Sequence, residues 1–206
     1  MPMRNKAGIL CMVLGAALVA AALLLVFWNY REAETAAASS EAVLPQIKEA
    51  IPKETGEIGD NGVPDHAAMP DPYDSEMTVV EIDGYGYVGY LTIPALGLEL
   101  PVMAEWDYAR LRLAPCRYSG STKTGDLVIA AHNYARHFGS LQTLLAGDEV
   151  RFTDMDGVVT VYEVAAVEIL QPTAVEEMTA GEYDLTLFTC TYGGQSRVTV
   201  RCDRRE

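Results

Sequence analysis

Residues 7–28 read AGILCMVLGAALVAAALLLVFW, 22 positions without a charge. A bilayer core is crossed by about 20 apolar residues at helical rise. This run therefore commits the N-terminus to a membrane span and places residues 31–206 on one side of it. Arg4 and Lys6 precede the run, which favours a cytoplasmic N-terminus, and Trp28 and Tyr30 fall where an interfacial aromatic belt belongs. A cleaved signal peptide has a shorter apolar core, of about 7–15 residues, followed by small residues. Here the small residues lie inside the run, so it reads as an uncleaved signal-anchor over 7–30, with 1–6 cytoplasmic.

Charge then divides the remainder. The formal net charge is -14. Residues 32–82 hold 12 acids against Lys48 and Lys53, a net of -10, whereas residues 83–206 hold 17 acids and 10 bases. An acidic chain without clustered Lys or Arg does not suit nucleic acid. The 31–82 stretch, with EAETAAASSEA and Pro45, Pro52, Pro64, Pro70 and Pro72, has few large apolar residues. Such a composition buries too little surface to offset ordering entropy. It reads as a flexible extracellular tether, although Ala and Glu would let 32–50 form a helix.

From Asp83 onward, short apolar runs are broken by Gly, Pro and Asp. Strands are expected at 87–93, 98–103, 126–131, 149–153, 157–170, 185–190 and 197–202, with a hairpin turn at DMDG (154–157). Short helices are expected near 107–113 and 138–145, the second capped by Gly147. Many short strands in so short a domain point to a closed barrel or a sandwich. Pro94 and Pro101 suit strand ends or edges.

The chemistry gathers at strand ends. The run 185–190 (LTLFTC) delivers Cys190 into a turn with two glycines, and Arg197 opens the strand that follows. If the two strands pair, Arg197 returns close to the thiol. Arg201 shares its face but lies roughly 13 Å further along at strand rise. A nucleophilic thiol needs a neighbouring base or cation. His132 ends the apolar run LVIAA and is placed by it, whereas His137 lies in the loop beyond and His66 in the tether.

These segments resemble the sortases, cell-surface cysteine transpeptidases of Gram-positive bacteria. Residues 186–190 (TLFTC) match the family's TLxTC signature. TYGGQSRVTVR is similar to its Cys-to-Arg hairpin, DLVIAAHNY to its strand ending in the catalytic histidine, and GYLTIPALGLELPV to its opening strand pair. The resemblance covers about residues 86–202, and the anchor and tether fit it. It implies a closed, eight-stranded β-barrel over 83–206 with few short helices. It implies a catalytic trio of Cys190, His132 and Arg197, with Thr189 helping to shape the substrate site. The implied reaction is cleavage of an LPxTG-like sorting signal between Thr and Gly. The protein is then passed through a thioacyl enzyme to an amine on a lipid-linked peptidoglycan precursor or a pilin lysine.

Some positions depart from the family pattern. Ala131 stands where a glycine is common. No acid follows His132, and Asn133 would face the other way in a strand, so a third orienting group stays open. The segment PTAVEEMTAGEYD is short, which implies a compact housekeeping-like or class D-like subtype, with class B kept open. DPYD (71–74) has the look of a lid-like segment. Cys116 and Cys202 could be disulfide-bonded, which needs Cα atoms within about 7 Å, or could be buried thiols. No CxxC pair or other metal spacing occurs, and no cofactor is expected. Two other readings compete: a cysteine protease, since caspase-like enzymes place His about 50 residues before Cys, and a membrane-anchored β-barrel that binds a partner without catalysis.

Overall fold

The computed structural model describes residues 4–52, 76–180 and 182–205. Among the described residues there are nine strands: β1 (Val80–Ile82), β2 (Tyr85–Ile93), β3 (Leu98–Met103), β4 (Cys116–Ser119), β5 (Leu127–Ala130), β6 (Glu149–Asp154), β7 (Val159–Leu170), β8 (Leu185–Cys190) and β9 (Arg197–Arg204). They pair in the order β1-β2-β3-β4-β5-β8-β9-β7-β6, and β6 pairs back onto β2. Eight strands thus close into a barrel, as the resemblance implies, and β1 adds a short hairpin at the start of β2. The β3–β4 and β5–β8 pairs are parallel and the others antiparallel.

Strand alternation sorts the apolar side chains into two layers. Leu91, Leu127, Ile129, Phe152, Leu185, Leu187 and Val200 belong to one fully buried cluster that fills the barrel. Met103, Val128, Ala130 and Phe188 form a second cluster on the outer wall. Each buried aliphatic or aromatic side chain contributes about 1.5–3 kcal/mol by removal from water. Closure demands a close approach at Gly89, which follows a bulge in the β2–β3 pairing and stands opposite Asp154 of β6. Its φ is 145°, and a Cβ there would lie 2.0 Å from the Thr153 carbonyl oxygen.

All seven expected strands form, and Gly157 closes the DMDG turn by donating to the Asp154 carbonyl at 3.1 Å. Pro101 sits in β3 where that strand meets β4 only at Met103↔Cys116, so its missing N–H leaves the ladder intact. β1 and β4 were not expected; both are short and partly polar. The expected helices shrink to single three-ten turns at Arg110–Arg112 and Leu141–Thr143. Gly147 caps no helix; it donates to the Val164 carbonyl at 2.9 Å with φ 94°. A short helix, α2 (Val175–Thr179), interrupts the β7–β8 connection.

The larger correction concerns the tether. The apolar span does not hand over to flexible chain at residue 31. Helix α1 runs without a break from Arg4 to Ala50, and its second half docks on the barrel. Ala36, Ala37, Ser40, Val43 and Ile47 are buried, a stripe at helical spacing. Val43 and Ile47 complete the outer cluster, Ser40 donates to the Leu113 carbonyl at 2.9 Å, and Lys48 pairs with Glu99 at 2.7 Å. Arg136 also pairs with Glu41. Residues 53–75, including DPYD and His66, lie outside the described residues.

Candidate active site

β5 and β8 run parallel in the register Ala130↔Phe188. Just past the ladder the strands remain tied. The Ala131 N–H donates to the Phe188 carbonyl at 3.2 Å, and the buried Thr189 hydroxyl donates to the Ala131 carbonyl at 2.8 Å. His132 follows Ala131 and Cys190 follows Thr189, so both leave the sheet side by side. On the other side β8 pairs with β9 in a register that ends at Cys190↔Arg197. Two independent strand pairings therefore converge the three residues on one end of the barrel.

The turn 191–196 is held shut. The Thr191 N–H donates to the Ser196 carbonyl at 2.9 Å, and the Ser196 N–H donates to the Thr191 hydroxyl at 3.0 Å. Gly193 and Gly194 take φ 86° and 73°, a region that disfavours side chains, so the glycine pair makes this reversal possible. Arg197 donates from one guanidinium nitrogen to the Gly194 and Ser196 carbonyls at 3.3 and 3.2 Å. Its other N–H groups have no protein partner among the described residues, and they are what a developing oxyanion could use.

The four cysteines are free thiols and differ by environment. Burial pushes Cys116 and Cys202 up to about 12, so both stay protonated and inert; neither is half of a disulfide. Cys190 is half-buried and lines a cavity of about 670 Å³. That cavity is also bounded by Asn133, Tyr134, Ser140, Gln142, Tyr192 and, from α1, Val26, Asn29, Tyr30 and Ala33.

His132 is held below its ordinary value of 6.5, first by burial and then by the Arg112 guanidinium, with Glu32 opposing. The imidazole is therefore neutral at neutral pH. The Tyr134 ring packs on it at 4.9 Å between centroids. Among the described residues no carboxylate hydrogen-bonds to the His132 ring. Orientation comes instead from the Tyr134 stack and from the 132–138 turn, in which the Phe138 N–H donates to the His132 carbonyl at 3.2 Å. The influence of Glu32 and Arg112 had no sequence signal, since one lies in the supposed tether and the other on an unremarkable turn.

His137 takes a different part. It is fully buried, and its Nε2 lies 3.3 Å from the Ser40 hydroxyl, which fastens α1 to the barrel. Arg201 is likewise structural. It donates to the Glu168 carboxylate at 3.2 Å, the Thr186 hydroxyl at 3.1 Å, and the Met178 and Glu177 carbonyls at 3.3 and 2.7 Å. It therefore anchors the β7–β8 connection against β8 and β9.

Fold and site together define a closed β-barrel that presents a cysteine, a histidine and an arginine at one end. A family profile described as the sortase domain matches residues 91–205, and the chain belongs to the sortase family, whose members are cysteine transpeptidases. Among solved structures, sortase A from Corynebacterium diphtheriae is 27% identical with a TM-score of 0.54, over 59% of this chain and 62% of that one. Sortase C1 from Streptococcus agalactiae is 26% identical with a TM-score of 0.54, over 61% and 71% of the two chains. Sortase C1 from Streptococcus suis is 28% identical with a TM-score of 0.50, over 58% and 73%. The chain thus spans less than two thirds of the Corynebacterium diphtheriae enzyme. A search of curated proteins gave no significant match.

Proposed function

We propose that this chain is a membrane-anchored cysteine transpeptidase, with α1 spanning the membrane and the barrel outside it. It would cleave an LPxTG-like sorting signal between Thr and Gly and join the protein to an amine. The observation that carries the reading is the convergence of Cys190, His132 and Arg197 through two separate strand pairings.

In this reading the Cys190 thiol gives its proton to the His132 imidazole and attacks the Thr carbonyl. Arg197 meets the negative charge on the tetrahedral oxygen. The imidazolium protonates the departing glycine amine, leaving a thioester on Cys190. The neutral imidazole then takes a proton from the incoming amine as its nitrogen attacks, and the thiolate leaves. Thr189 lines the same cavity as Cys190, where it helps shape the substrate site, and its bond to the Ala131 carbonyl keeps the two strand ends in step. The acceptor chemistries compatible with this step are the amine of a lipid-linked peptidoglycan precursor and a pilin lysine.

The test is a sorting-signal peptide library incubated with the full chain, with and without an amine acceptor, and read by mass spectrometry. A thioester on Cys190 and an amine-dependent ligated product are expected. Hydrolysis alone at every amine concentration would instead mark a protease. Function that persists in Cys190→Ala would mark a binding module.

A further inference from the structure

The loop after His132 carries no acid; it reads Asn133, Tyr134, Ala135, Arg136, His137. A carboxylate beside the ring comes instead from another element. Three rings stand in a row along this loop. His132 and Tyr134 lie 4.9 Å apart between centroids, and Tyr134 and His137 lie 5.7 Å apart. The far end of the row is pinned to α1, where the His137 Nε2 lies 3.3 Å from the Ser40 hydroxyl. Nearer the thiol, Tyr134 and Ala33 of α1 border the same cavity as Cys190.

These two contacts fix how α1 runs past the rings. Residues 32, 36 and 40 recur at four-residue spacing and share one helical face. Ala36 and Ser40 are buried on that face, and Glu32 is half-buried one turn earlier. From Ser40 back to Glu32 the helix covers about 12 Å, close to the combined length of the two ring steps. Glu32 therefore comes level with His132. Its charge acts on both nearer rings: it favours the imidazolium of His132 and disfavours a tyrosinate at Tyr134. The neighbouring acids of α1 are placed differently, since Glu34 is exposed on the opposite side and Glu41 pairs with Arg136. The other charged or titratable groups around the His132 ring are Arg112 on the turn before β4, the buried His137, and Cys190 and Arg197 at the strand ends.

We propose that Glu32 is the positioning carboxylate of this site, carried by the membrane helix: it steadies the His132 imidazolium formed when Cys190 gives up its proton. The proposal rests on the transpeptidase reading. In the acylation step the S–H bond breaks, the proton joins a ring nitrogen, and the sulfur bonds to the Thr carbonyl carbon. The ring gains a positive charge in a half-buried place, and a carboxylate nearby offsets that cost. Glu32 takes no proton and touches no substrate; it acts through His132. When the imidazolium protonates the departing amine, the ring returns to neutral and Glu32 is unchanged. The anchor helix thus completes the site, and docking of α1 on the barrel becomes a condition of full activity.

The experiment follows single-turnover thioester formation by the full chain in detergent micelles across pH, using the best-cleaved peptide of the sorting-signal library. Active sites are counted by the thioester burst, so losses in folding do not enter. Glu32→Gln is expected to lower the limiting rate about tenfold and leave the half-saturating peptide concentration little changed. It should also move the acid limb, on which His132 must be neutral to take the proton, to lower pH. That direction follows because the ring is harder to protonate once the carboxylate is gone. Glu32→Asp keeps the charge and should regain most of the rate and the original limb. Glu34→Gln, on the exposed side, should match the unaltered chain. A packing role alone would lower the rate without moving the limb and would treat Asp no better than Gln. A Glu32→Gln chain that matches the unaltered one, or that slows with its acid limb unmoved, overturns the proposal and leaves the transpeptidase reading intact. Failure of the unaltered chain to form a thioester with any library peptide overturns both.

Discussion

Cys190 and Arg197 stand directly opposite one another as the last pair of the β8–β9 ladder. Directly paired residues in antiparallel strands have Cα atoms about 4.5–5.5 Å apart, so the guanidinium fork and the thiol share one strand end. Arg197→Lys keeps the charge but loses the planar fork. We expect it to lower acyl-enzyme formation about 10²–10³-fold, as loss of an oxyanion donor does. Cys190→Ala is expected to abolish formation. Stopped-flow release of the leaving peptide, with mass detection of the thioester, measures both.

The Thr189 hydroxyl links β8 to β5 beyond the last ladder pair. Thr189→Val keeps the shape and removes the donor, leaving the buried Ala131 carbonyl short of a partner. A loss of about 1–3 kcal/mol in unfolding free energy is expected, with kcat falling and KM little changed. Thr189→Ser should restore most of both, because it returns the donor. Chemical denaturation and steady-state peptide cleavage read the two quantities.

The pairing of Cys190 with Arg197 was legible in the sequence because it is local. Alternation in LTLFTC, two glycines, and a second alternating run specify one hairpin, and His132 ends an equally plain apolar strand. What the sequence hid is long-range. The stripe Ala36, Ser40, Val43, Ile47 was present, but the acids and prolines around it read as solvated chain, since its partner surface is assembled from strands far away. Arg201 looked like a strand arginine at the wrong distance from the thiol. Its partners Glu177 and Met178 lie in a connection that folds back over β9, which no periodicity records.

Arg201 therefore carries its own prediction. It is 6% exposed, and its guanidinium satisfies two carbonyls, a hydroxyl and a carboxylate. Arg201→Met retains much of the apolar stem but leaves those acceptors without their donor. The Glu168 carboxylate is 42% exposed and stays solvated, so the cost comes from the buried carbonyls left without a donor, and a loss of about 1–3 kcal/mol is expected. Protease nicking should begin in the β7–β8 connection, and peptide mapping of the fragments locates it.

Glu32 and Arg112 act on His132 in opposite senses. Glu32→Gln removes the group that favours imidazolium, so the His132 titration should move further down. Arg112→Gln removes a cation that disfavours imidazolium, so the titration should move up. Burial, the largest influence, stays in both. Ring-proton NMR titrations in detergent micelles, with His132→Gln to identify the resonance, test the two directions. Identical shifts in the two variants would mean that neither charge reaches the ring.

His137 makes the docking of α1 sensitive to acid. Burial holds it at about 4 in the folded protein, well below the ordinary 6.5, with the neighbouring His132 pushing the same way. A histidine with a depressed folded value is neutral in both states above 6.5 and contributes its full stability there. As pH falls below 6.5 the unfolded chain takes up a proton that the folded protein refuses, and stability drains until pH reaches about 4. The depression corresponds to about 3 kcal/mol at one pKa unit per 1.36 kcal/mol. His137→Gln cannot titrate, so unfolding free energies at pH 7 and pH 4.5 should differ less for it than for the unaltered chain, by about 2–3 kcal/mol. The acid-sensitive element should be the α1 contact through Ser40, because that is what the ring touches. Amide exchange over residues 36–47 should rise below pH 6 in the unaltered chain and not in Ser40-intact His137→Gln. Exchange rising equally in both would place the acid sensitivity elsewhere in the barrel.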